Sequence, residues 1–431
     1  DSTPAFWSVV PSRSRLYFKS FNQELRLSGD SDRFNWVVGG NYAKNKVISA
    51  DIFLVNDSTN TAILPGIGVE SAVTTITQNI RDIAGFGNAE YKLTDTLTLL
   101  AGARYTDSRN DFTECMRGAP GHRTTFWQLS QLISGVTQPA PDASTCVNLD
   151  QNTFLLIRTP DESRLHEHNF SWRVGANYKP TRDLLLYALV SRGFKSGSFP
   201  TVPASTTFQF APVKQESVTA YEAGIKATAL DRKLQVNAAI FHYVYDDKQI
   251  RGTVIDPIFN QLEKLVNIPK SRINGAEIDV TVRPVSGLTL RAAGTYVDSK
   301  VLEFVGINND RVTGDYRGSA LPFSPKWQFV GDAEYRFDLG GSLSAFVGGN
   351  VLFNSRTNST VGDPASSAIK KFATLDLRAG VNGPDDKWSV SVWGRNVTNT
   401  YYWTNQFVTS DVIGRYAAMP VTYGVSASFN F

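Results

Sequence analysis

Hydrophobic and polar residues alternate along most of the chain with a period of two. Trp36, Val38 and Tyr42, for example, fall on one side of an extended backbone, whereas Asn35 and Asn41 fall on the other. Because successive side chains of a strand point to opposite faces, this period predicts β-strands with one apolar and one polar face. The pattern returns often enough to predict about fifteen strands and an all-β fold.

The predicted strands are long. Most have about ten residues, which a tilted strand needs to cross a bilayer, whereas soluble strands are about half as long. Aromatic residues repeat at strand ends on the apolar face, as in membrane barrels with aromatic girdles outside and a hydrated lumen inside. The pattern therefore predicts a transmembrane, antiparallel up-and-down β-barrel. The girdle residues are Trp36, Tyr42, Tyr105, Trp172, Tyr178, Tyr296, Trp327, Tyr335, Phe337 and Trp388.

Short turns and long loops alternate between these strands. Outer-membrane barrels have the same arrangement, with short turns at the periplasmic end and long loops at the extracellular end. A soluble all-β protein, which alternation alone would also allow, has no reason to do so. The short turns cover 28–32, 93–96, 179–182, 230–232, 284–287, 338–341 and 382–386, and the long extracellular loops lie near 45–78, 110–165, 196–214, 251–262, 303–323, 356–368 and 400–414.

The composition of the 431-residue chain removes other classes of protein. No apolar run is long enough for a membrane-spanning helix. The formal net charge is +3, with Lys and Arg dispersed among Asp and Glu, so we expect no nucleic-acid partner. Neither a nucleophile elbow nor a dinucleotide fingerprint occurs in the sequence. His166 and His168 share one strand face and could hold a metal ion, but no third metal ligand is identifiable. We therefore expect no catalytic residue, no cofactor and no metal site.

Several stretches resemble the C-terminal barrel of the TonB-dependent outer-membrane receptors. Each stretch is weakly specific by itself, but their order and spacing span nearly the whole chain. They are FNQELRLSG (21–29), SRGFKSGSF (191–199), QESVTAYEAGIKA (215–227), LVNIPKSRINGAEIDV (265–280), WGRNVTNTYY (393–402) and VTYGVSASFNF (421–431).

The resemblance implies a location in the bacterial outer membrane and a barrel of twenty-two strands around an N-terminal plug. It also implies import of a scarce extracellular ligand, most often a ferric siderophore, with energy delivered by the TonB complex through the plug. This sequence contains no plug and no TonB-contacting box. We therefore expect residues 1–16 to be the remnant of an extracellular loop, and 17–431 to be the later part of the barrel.

Two other functions are compatible with a barrel. A passive outer-membrane porin or diffusion channel needs an open lumen, and an outer-membrane enzyme needs a catalytic set at the rim. Outer-membrane barrel enzymes resemble much smaller barrels. The number of strands predicted here instead implies a lumen too wide for side chains alone to fill. The family resemblance favours the importer over the porin.

Loop aromatics with nearby cations are the predicted ligand surface, because exposed aromatic clusters either bind something or fold a loop on itself. The charged residues of the polar face are predicted to face the lumen or the plug. The ligand candidates are Phe126, Trp127, Phe208, Phe210, Tyr401, Tyr402, Trp403, Phe407 and Arg415; the lumen candidates are Glu24, Arg26, Arg104, Arg173, Glu222, Lys226, Glu277, Asp279, Asp332, Glu334 and Arg336.

The two cysteines, Cys115 and Cys146, lie in one predicted extracellular loop. Since that compartment is oxidising, we expect them to form a disulfide, with two free thiols as the alternative. At the chain end, Tyr423, Phe429 and Phe431 lie on the apolar face and resemble the terminal signal read by the barrel-assembly machinery. The remaining predicted partner is outer-membrane lipid.

Overall fold

The computed structural model describes residues 12–54, 71–118, 125–200, 204–256, 258, 260–308, 310, 312–362, 364–409 and 412–430. These residues form long antiparallel strands and one short α-helix, α1 (Thr125–Ser134). The strands are β1 (Ser12–Asp30), β2 (Phe34–Leu54), β3 (Ser71–Lys92), β4 (Leu97–Gly118), β5 (Asn148–Leu149), β6 (Leu156–Ile157), β7 (Asp161–Thr181), β8 (Leu184–Lys195), β9 (Glu216–Ala229), β10 (Leu234–Asp256), β11 (Asn260–Val282), β12 (Leu288–Glu303), β13 (Val305–Ile307), β14 (Thr313–Asp315), β15 (Trp327–Gly340), β16 (Leu343–Asn354), β17 (Thr357–Asn358), β18 (Ala368–Ile369), β19 (Phe372–Asn382), β20 (Trp388–Arg395), β21 (Trp403–Thr409), β22 (Val412–Ala417) and β23 (Thr422–Phe429).

One antiparallel sheet of 17 strands contains all the long strands of the described chain. Only β13 and β14 in it are as short as three residues, so fifteen long strands remain. Each long strand from β1 to β20 pairs with the long strand that follows it in sequence, from the β1–β2 pair to the β20–β23 pair. The predicted all-β, up-and-down architecture and the predicted number of strands are confirmed.

The sheet has an apolar face and a polar face, as the period of two predicts. Leu25 on β1 belongs to the apolar face and is 78% exposed, and Tyr105 opposes Phe170 on the same face between β4 and β7. The polar face carries Asp332, which opposes Asn350 between β15 and β16. Large apolar side chains left uncovered on this scale fit a wall that faces lipid rather than water.

Each predicted short turn lies where two long strands meet. Backbone hydrogen bonds close these turns, as at Leu93, whose N–H donates to the carbonyl of Leu97 over 2.9 Å. At Leu288, the backbone N–H donates to the carbonyl of Val285 over 3.3 Å, and Gly287 has a φ of 79° that favours glycine. The turn residues in the sequence therefore determine where the long strands end on this side of the sheet.

The long connections contain more regular structure than their sequence predicts. Hairpins β2–β3 and β10–β11 stay paired as far as Leu54 with Ser71 and Asp256 with Asn260, so much of the loops near 45–78 and 251–262 is strand. Residues 12–16, predicted as loop, begin β1 because they pair with Ser49–Phe53 of the extended β2. Once two strands satisfy each other's backbone groups, a hairpin can continue beyond the bilayer.

Three buried apolar clusters lie among the long connections. The first joins α1 to β5, β6 and the end of β4; the second joins β11 and β12 to the connections after β12 and after β16; the third joins β3 and β4 to the loop after β8. The connections therefore form a folded layer at one end of the sheet. No helix in the described ranges is both long enough and apolar enough to cross a membrane.

The two edge strands of the sheet are β1 and β23. Within the described residues β1 pairs only with β2, and β23 pairs only with β20. Within the described residues the sheet therefore has two unpaired edges.

Candidate ligand-binding site

The connection between β4 and β7 folds as a compact unit over the end of β4. Cys115 and Cys146 form a disulfide with a Cα–Cα distance of 5.3 Å. Beside it, the backbone N–H of Val147 donates to the carbonyl of Met116 over 2.7 Å. The side-chain carbonyl of Asn148 accepts the Met116 N–H over 2.9 Å, which gives the irregular segment a second backbone anchor.

The loop between β8 and β9 folds back against the polar face. Phe199 stacks on Phe112 with ring centroids 4.5 Å apart, and both rings are buried. The carboxylate of Glu167 accepts the backbone N–H groups of Gly197 over 2.7 Å and Gln215 over 2.9 Å. One carboxylate thereby ties the two ends of this loop to β7.

Glu114 on β4 is a buried acid inside this layer. Its side chain is 0% exposed, and Oε1 accepts the backbone N–H of Ala204 over 2.9 Å. Oε2 has no hydrogen-bond partner among the described residues. Burial raises the pKa of Glu114 to about 8, because it penalises the charged form more than the Ala204 N–H stabilises it. Protonation gives this acid an O–H donor at neutral pH.

The aromatic candidates of the first two loops lie mostly inside the layer. Phe126 on α1 is 5% exposed in the first apolar cluster, and Phe210 is 4% exposed. Trp127 packs against that cluster, and its Nε1–H donates to the carbonyl of Gln138 over 2.8 Å. Their placement fits the alternative in which loop aromatics fold the loop on itself.

Phe208 is placed differently, because a cation covers its ring. The Nζ of Lys264 lies 4.7 Å from the ring centroid and donates to the carbonyl of Phe208 over 2.8 Å. Burial lowers the pKa of Lys264. The predicted combination of loop aromatic and cation exists here, but it is already satisfied within the protein.

The β21–β22 hairpin carries the most accessible predicted ligand group. Tyr402 stacks on Phe372 at 3.8 Å, and the Nε1–H of Trp403 donates to the carbonyl of Ala368 over 3.2 Å. The guanidinium of Arg415 lies 4.8 Å from the Trp403 ring centroid, and Tyr401 is 74% exposed beside it. The side chain of Phe407 lies outside the described part of the structure.

A cavity of about 90 Å³ opens beside this hairpin, where four connections meet. Asn405 and Gln406 line it from the hairpin, and Phe304 and Thr360 line it from neighbouring connections. Gln406 also accepts the Nε–H of Arg415 over 3.0 Å. The cation above Trp403 is thus held at the margin of a small recess with both polar and apolar lining. Gln406 was not predicted, since nothing in its local sequence distinguishes it.

Three predicted lumen residues line one recess on the polar face. Lys226, Glu277 and Asp279 border a cavity of about 610 Å³ across β9, β10 and β11. In the same region, Glu222 accepts hydrogen bonds from the hydroxyls of Tyr187, over 2.8 Å, and Tyr243, over 3.4 Å. Sequence reasoning missed both tyrosines, although their strand period places them on the polar face.

A second group on the polar face centres on Arg378. Its guanidinium contacts Asp332 on β15 over 2.8 Å and Glu334 over 3.0 Å. Arg336 lies 4.0 Å from Glu334 and 3.9 Å from Asp386. The register explains the group, because alternate residues of β15 share the polar face with Arg378 of β19.

The other lumen candidates form separate contacts along the first strands. Glu24 pairs with Arg26 on β1, and the Nε–H of Arg173 donates to Asn88 over 3.1 Å. Arg104 lies 5.7 Å from the Phe86 ring centroid. The structure therefore distributes the predicted lumen residues along one face and does not assemble them into one site.

The remaining residues singled out in the sequence lie on the apolar faces of β7 and β23 or outside the described chain. His166 and His168 are on the apolar side of β7, and the Nε2 of His166 lies 2.7 Å from Asp107. In the described ranges no group of three His, Cys, Asp or Glu side chains is arranged as a metal site. Tyr423 and Phe429 are exposed on the apolar face of β23, and Phe431 lies outside the described residues.

Residues 3–397 match the family model described as TonB dependent receptor-like, beta-barrel. The chain belongs to this family. Its members are receptors and transporters of the Gram-negative outer membrane, and the predicted recognition and location are thereby confirmed. A curated relative, the ferric-pyoverdine M114 receptor PbuA of Pseudomonas sp. (strain M114), is 24% identical over 370 residues, which cover 83% of this chain and 37% of the relative.

Solved structures of other TonB-dependent receptors share the fold. The ferric yersiniabactin uptake receptor FyuA of Yersinia pestis matches with a TM-score of 0.74 and 16% identity, over 98% of this chain and 56% of FyuA. The siderophore receptor PiuA of Acinetobacter baumannii matches with a TM-score of 0.67 and 14% identity, over 96% of this chain and 56% of PiuA. This chain thus spans little more than half of these receptors.

Proposed function

We propose that this chain is the barrel portion of a TonB-dependent receptor that imports a ferric siderophore. The observation that carries the proposal is the group of Trp403, Arg415 and Tyr401, which is exposed or partly exposed beside a recess with both polar and apolar lining. A cation held over an aromatic ring suits a ligand with both negative charge and flat rings, which ferric siderophores commonly combine. The names of PbuA, FyuA and PiuA support this class of cargo.

The proposal assigns a partner to each part of the molecule. The extracellular layer contacts the ligand, the apolar face contacts membrane lipid, and the charged polar face contacts a plug that is not in this sequence. The TonB complex acts through that plug, and the barrel-assembly machinery reads the strand that ends the chain. The recess lined by Lys226, Glu277 and Asp279 offers the plug a surface of both charges.

The hairpin can be tested in the full-length receptor. We expect the double substitution Tyr402→Ala and Trp403→Ala to lower uptake of the transported ferric siderophore about tenfold, because it removes one ring stack and one cation–π contact. The measurement is uptake of radiolabelled iron with a panel of ferric siderophores.

The matched control is the double substitution Tyr402→Phe and Trp403→Phe, which keeps two aromatic rings and should retain most uptake. Heat-modifiable mobility on gels checks that both variants assemble. Unchanged uptake in an assembled alanine variant would remove the hairpin from the ligand site.

A passive porin is the alternative function. The recess of about 610 Å³ on the polar face is the observation that favours it, because such space could conduct water and solutes. Steady conductance of the full-length protein in planar bilayers, independent of ligand and of TonB, would support the porin and contradict the importer.

A further inference from the structure

The connection between β20 and β23 turns away from the line of its strands at a single residue. The two strands pair as far as Arg395 with Thr422, whereas β2 and β3 stay paired as far as Leu54 with Ser71. The next residue, Asn396, has a φ of 47°, in the left-handed region that asparagine adopts more readily than most residues. Because a strand needs a negative φ, the β20–β23 pairing ends at Asn396.

Asn396 is buried, and its amide group joins two segments of this connection. The side-chain oxygen accepts the backbone N–H of Thr400 over 2.9 Å. The side-chain nitrogen donates to the carbonyl of Thr400 over 3.0 Å and to the carbonyl of Met419 over 3.3 Å. Thr400 lies before the β21–β22 hairpin and Met419 lies after it. We name residues 396–402 and 418–421 together the hairpin base.

The hairpin base is also attached to the polar face of the sheet. The backbone N–H of Asn396 donates to the carboxylate of Asp376 on β19 over 2.8 Å. Tyr402, at the other end of the outgoing segment, stacks on Phe372, which precedes Asp376 by four residues on the same face of β19. The two contacts fix the outgoing segment of the base at two positions along one strand.

The predicted ligand group begins directly above the hairpin base. The backbone N–H of Ala418 donates to the carbonyl of Tyr402 over 2.9 Å, and Trp403 is the next residue of the chain. The guanidinium of Arg415 lies over the Trp403 ring and comes from the returning strand β22. The cation and the ring therefore meet only if the outgoing and returning segments of the base are held together.

We propose that Asn396 is a positioning residue of the ligand site, because its amide sets the β21–β22 hairpin so that Arg415 lies over Trp403. Asn396 is only 6% exposed, so it acts through the hairpin and not by contact with the ligand. Glycine would supply the left-handed φ without an amide, and aspartate would supply the acceptor without the donors. The inference rests on the proposed function, since it takes Trp403 and Arg415 as groups that contact the ligand.

The test compares uptake kinetics of variants of the full-length receptor, with the radiolabelled ferric siderophore of the panel that the unmodified receptor transports best. We expect Asn396→Gly to raise KM about tenfold, since losing buried hydrogen bonds changes an equilibrium by roughly this factor. The maximal rate, normalised to the heat-modifiable receptor on gels, should be retained. A residue needed only for assembly would lower the amount of receptor and leave KM unchanged, and that result would overturn the proposal.

Two further variants separate the amide from other effects. Asn396→Asp keeps an acceptor for the Thr400 N–H but cannot donate to Met419, so its KM should also rise; an unchanged KM would contradict the link across the base. Asn382→Ala is the matched control, because Asn382 is a buried asparagine at the other end of β19 that donates to Ser344 over 3.3 Å. Its KM should equal that of the unmodified receptor.

A measurement without ligand separates this inference from the proposed function. Hydrogen exchange of the Ala418 amide should be several-fold faster in Asn396→Gly than in the unmodified receptor, and unchanged in Asn382→Ala. Faster exchange in a receptor that transports no siderophore of the panel would refute the proposed cargo and still support the positioning of the hairpin. Unchanged exchange together with an unchanged KM would overturn the role of Asn396 and leave siderophore import standing.

Discussion

Glu114 connects the protonation of one residue to the stability of the folded layer formed by the long connections. Its folded-state pKa of about 8 lies above the ordinary value of 4.5, because the side chain is buried. Between these two values the folded protein binds a proton that the unfolded chain has lost, so stability falls as pH rises. Burial of Glu114 beneath the loop at Ala204 is therefore expected to become less favourable from mildly acidic to mildly alkaline pH, which loosens the loop.

The substitution Glu114→Gln tests this expectation, because an amide has a similar shape and keeps an acceptor for the Ala204 N–H. Hydrogen exchange of the Ala204 amide should show that the variant is better protected than the unmodified protein at pH 9, with a smaller difference at pH 5. Glu162→Gln, at an exposed position of β7, is the control and should change neither value. Equal exchange in the Glu114 variant and the unmodified protein at pH 9 would contradict a buried, proton-linked Glu114.

Sequence reasoning at the residue scale identified faces but not partners. The period of two placed Asp332 and Glu334 on the polar face, yet only the register between β15, β16 and β19 brings Arg378 between them. In the same way, composition marked Phe126 as a loop aromatic but could not show that α1 buries it. Burial in a loop depends on contacts distant in sequence, which a local pattern does not contain.

At the scale of elements, the disulfide stabilises the connection between β4 and β7. Cys115 and Cys146 are separated by 31 positions, and closing a loop of this length removes unfolded-state entropy worth roughly 3 to 4 kcal/mol. Because the first apolar cluster lies between α1 and β5, loss of the disulfide should loosen that cluster before it affects the sheet.

The double substitution Cys115→Ser and Cys146→Ser should make the connection sensitive to proteases while the barrel stays heat-modifiable. Limited proteolysis followed by mass mapping measures this, and cleavage should concentrate between residues 125 and 157. Ser134→Ala, at the end of α1, is a control that leaves the disulfide intact. Equal cleavage of the double variant and the unmodified protein would show that the apolar cluster holds the connection by itself.

The elements themselves could be predicted because membrane strands and turns depend on local rules. Alternation and turn residues gave the fifteen long strands and the short turns between them. The extent of the hairpins was not predictable in this way: β2 continues to Leu54 with polar residues on both faces. Backbone pairing with β1 and β3, which no single stretch reveals, extends it.

At the scale of the whole molecule, the two edge strands of the described sheet have backbone groups that need partner strands. An unpaired backbone group in lipid costs several kcal/mol, and both β1 and β23 have one side without a partner in the described residues. The first and the fifteenth strand of an up-and-down sheet also run in the same direction. Direct closure of β1 on β23 would therefore require a parallel seam in an otherwise antiparallel wall.

We therefore expect these 431 residues, expressed alone, to give no closed barrel, because further strands must pair with β1 and β23. The measurements are heat-modifiable gel mobility and conductance in planar bilayers, with the full-length receptor as the control that should pass the first test. Substituting Leu25 on β1 by Arg, on the apolar face, should reduce assembly of the full-length receptor, since a charge there faces lipid. If the isolated chain instead forms a stable, heat-modifiable pore, its edges close without other strands, and a passive channel then explains the polar face better than an importer.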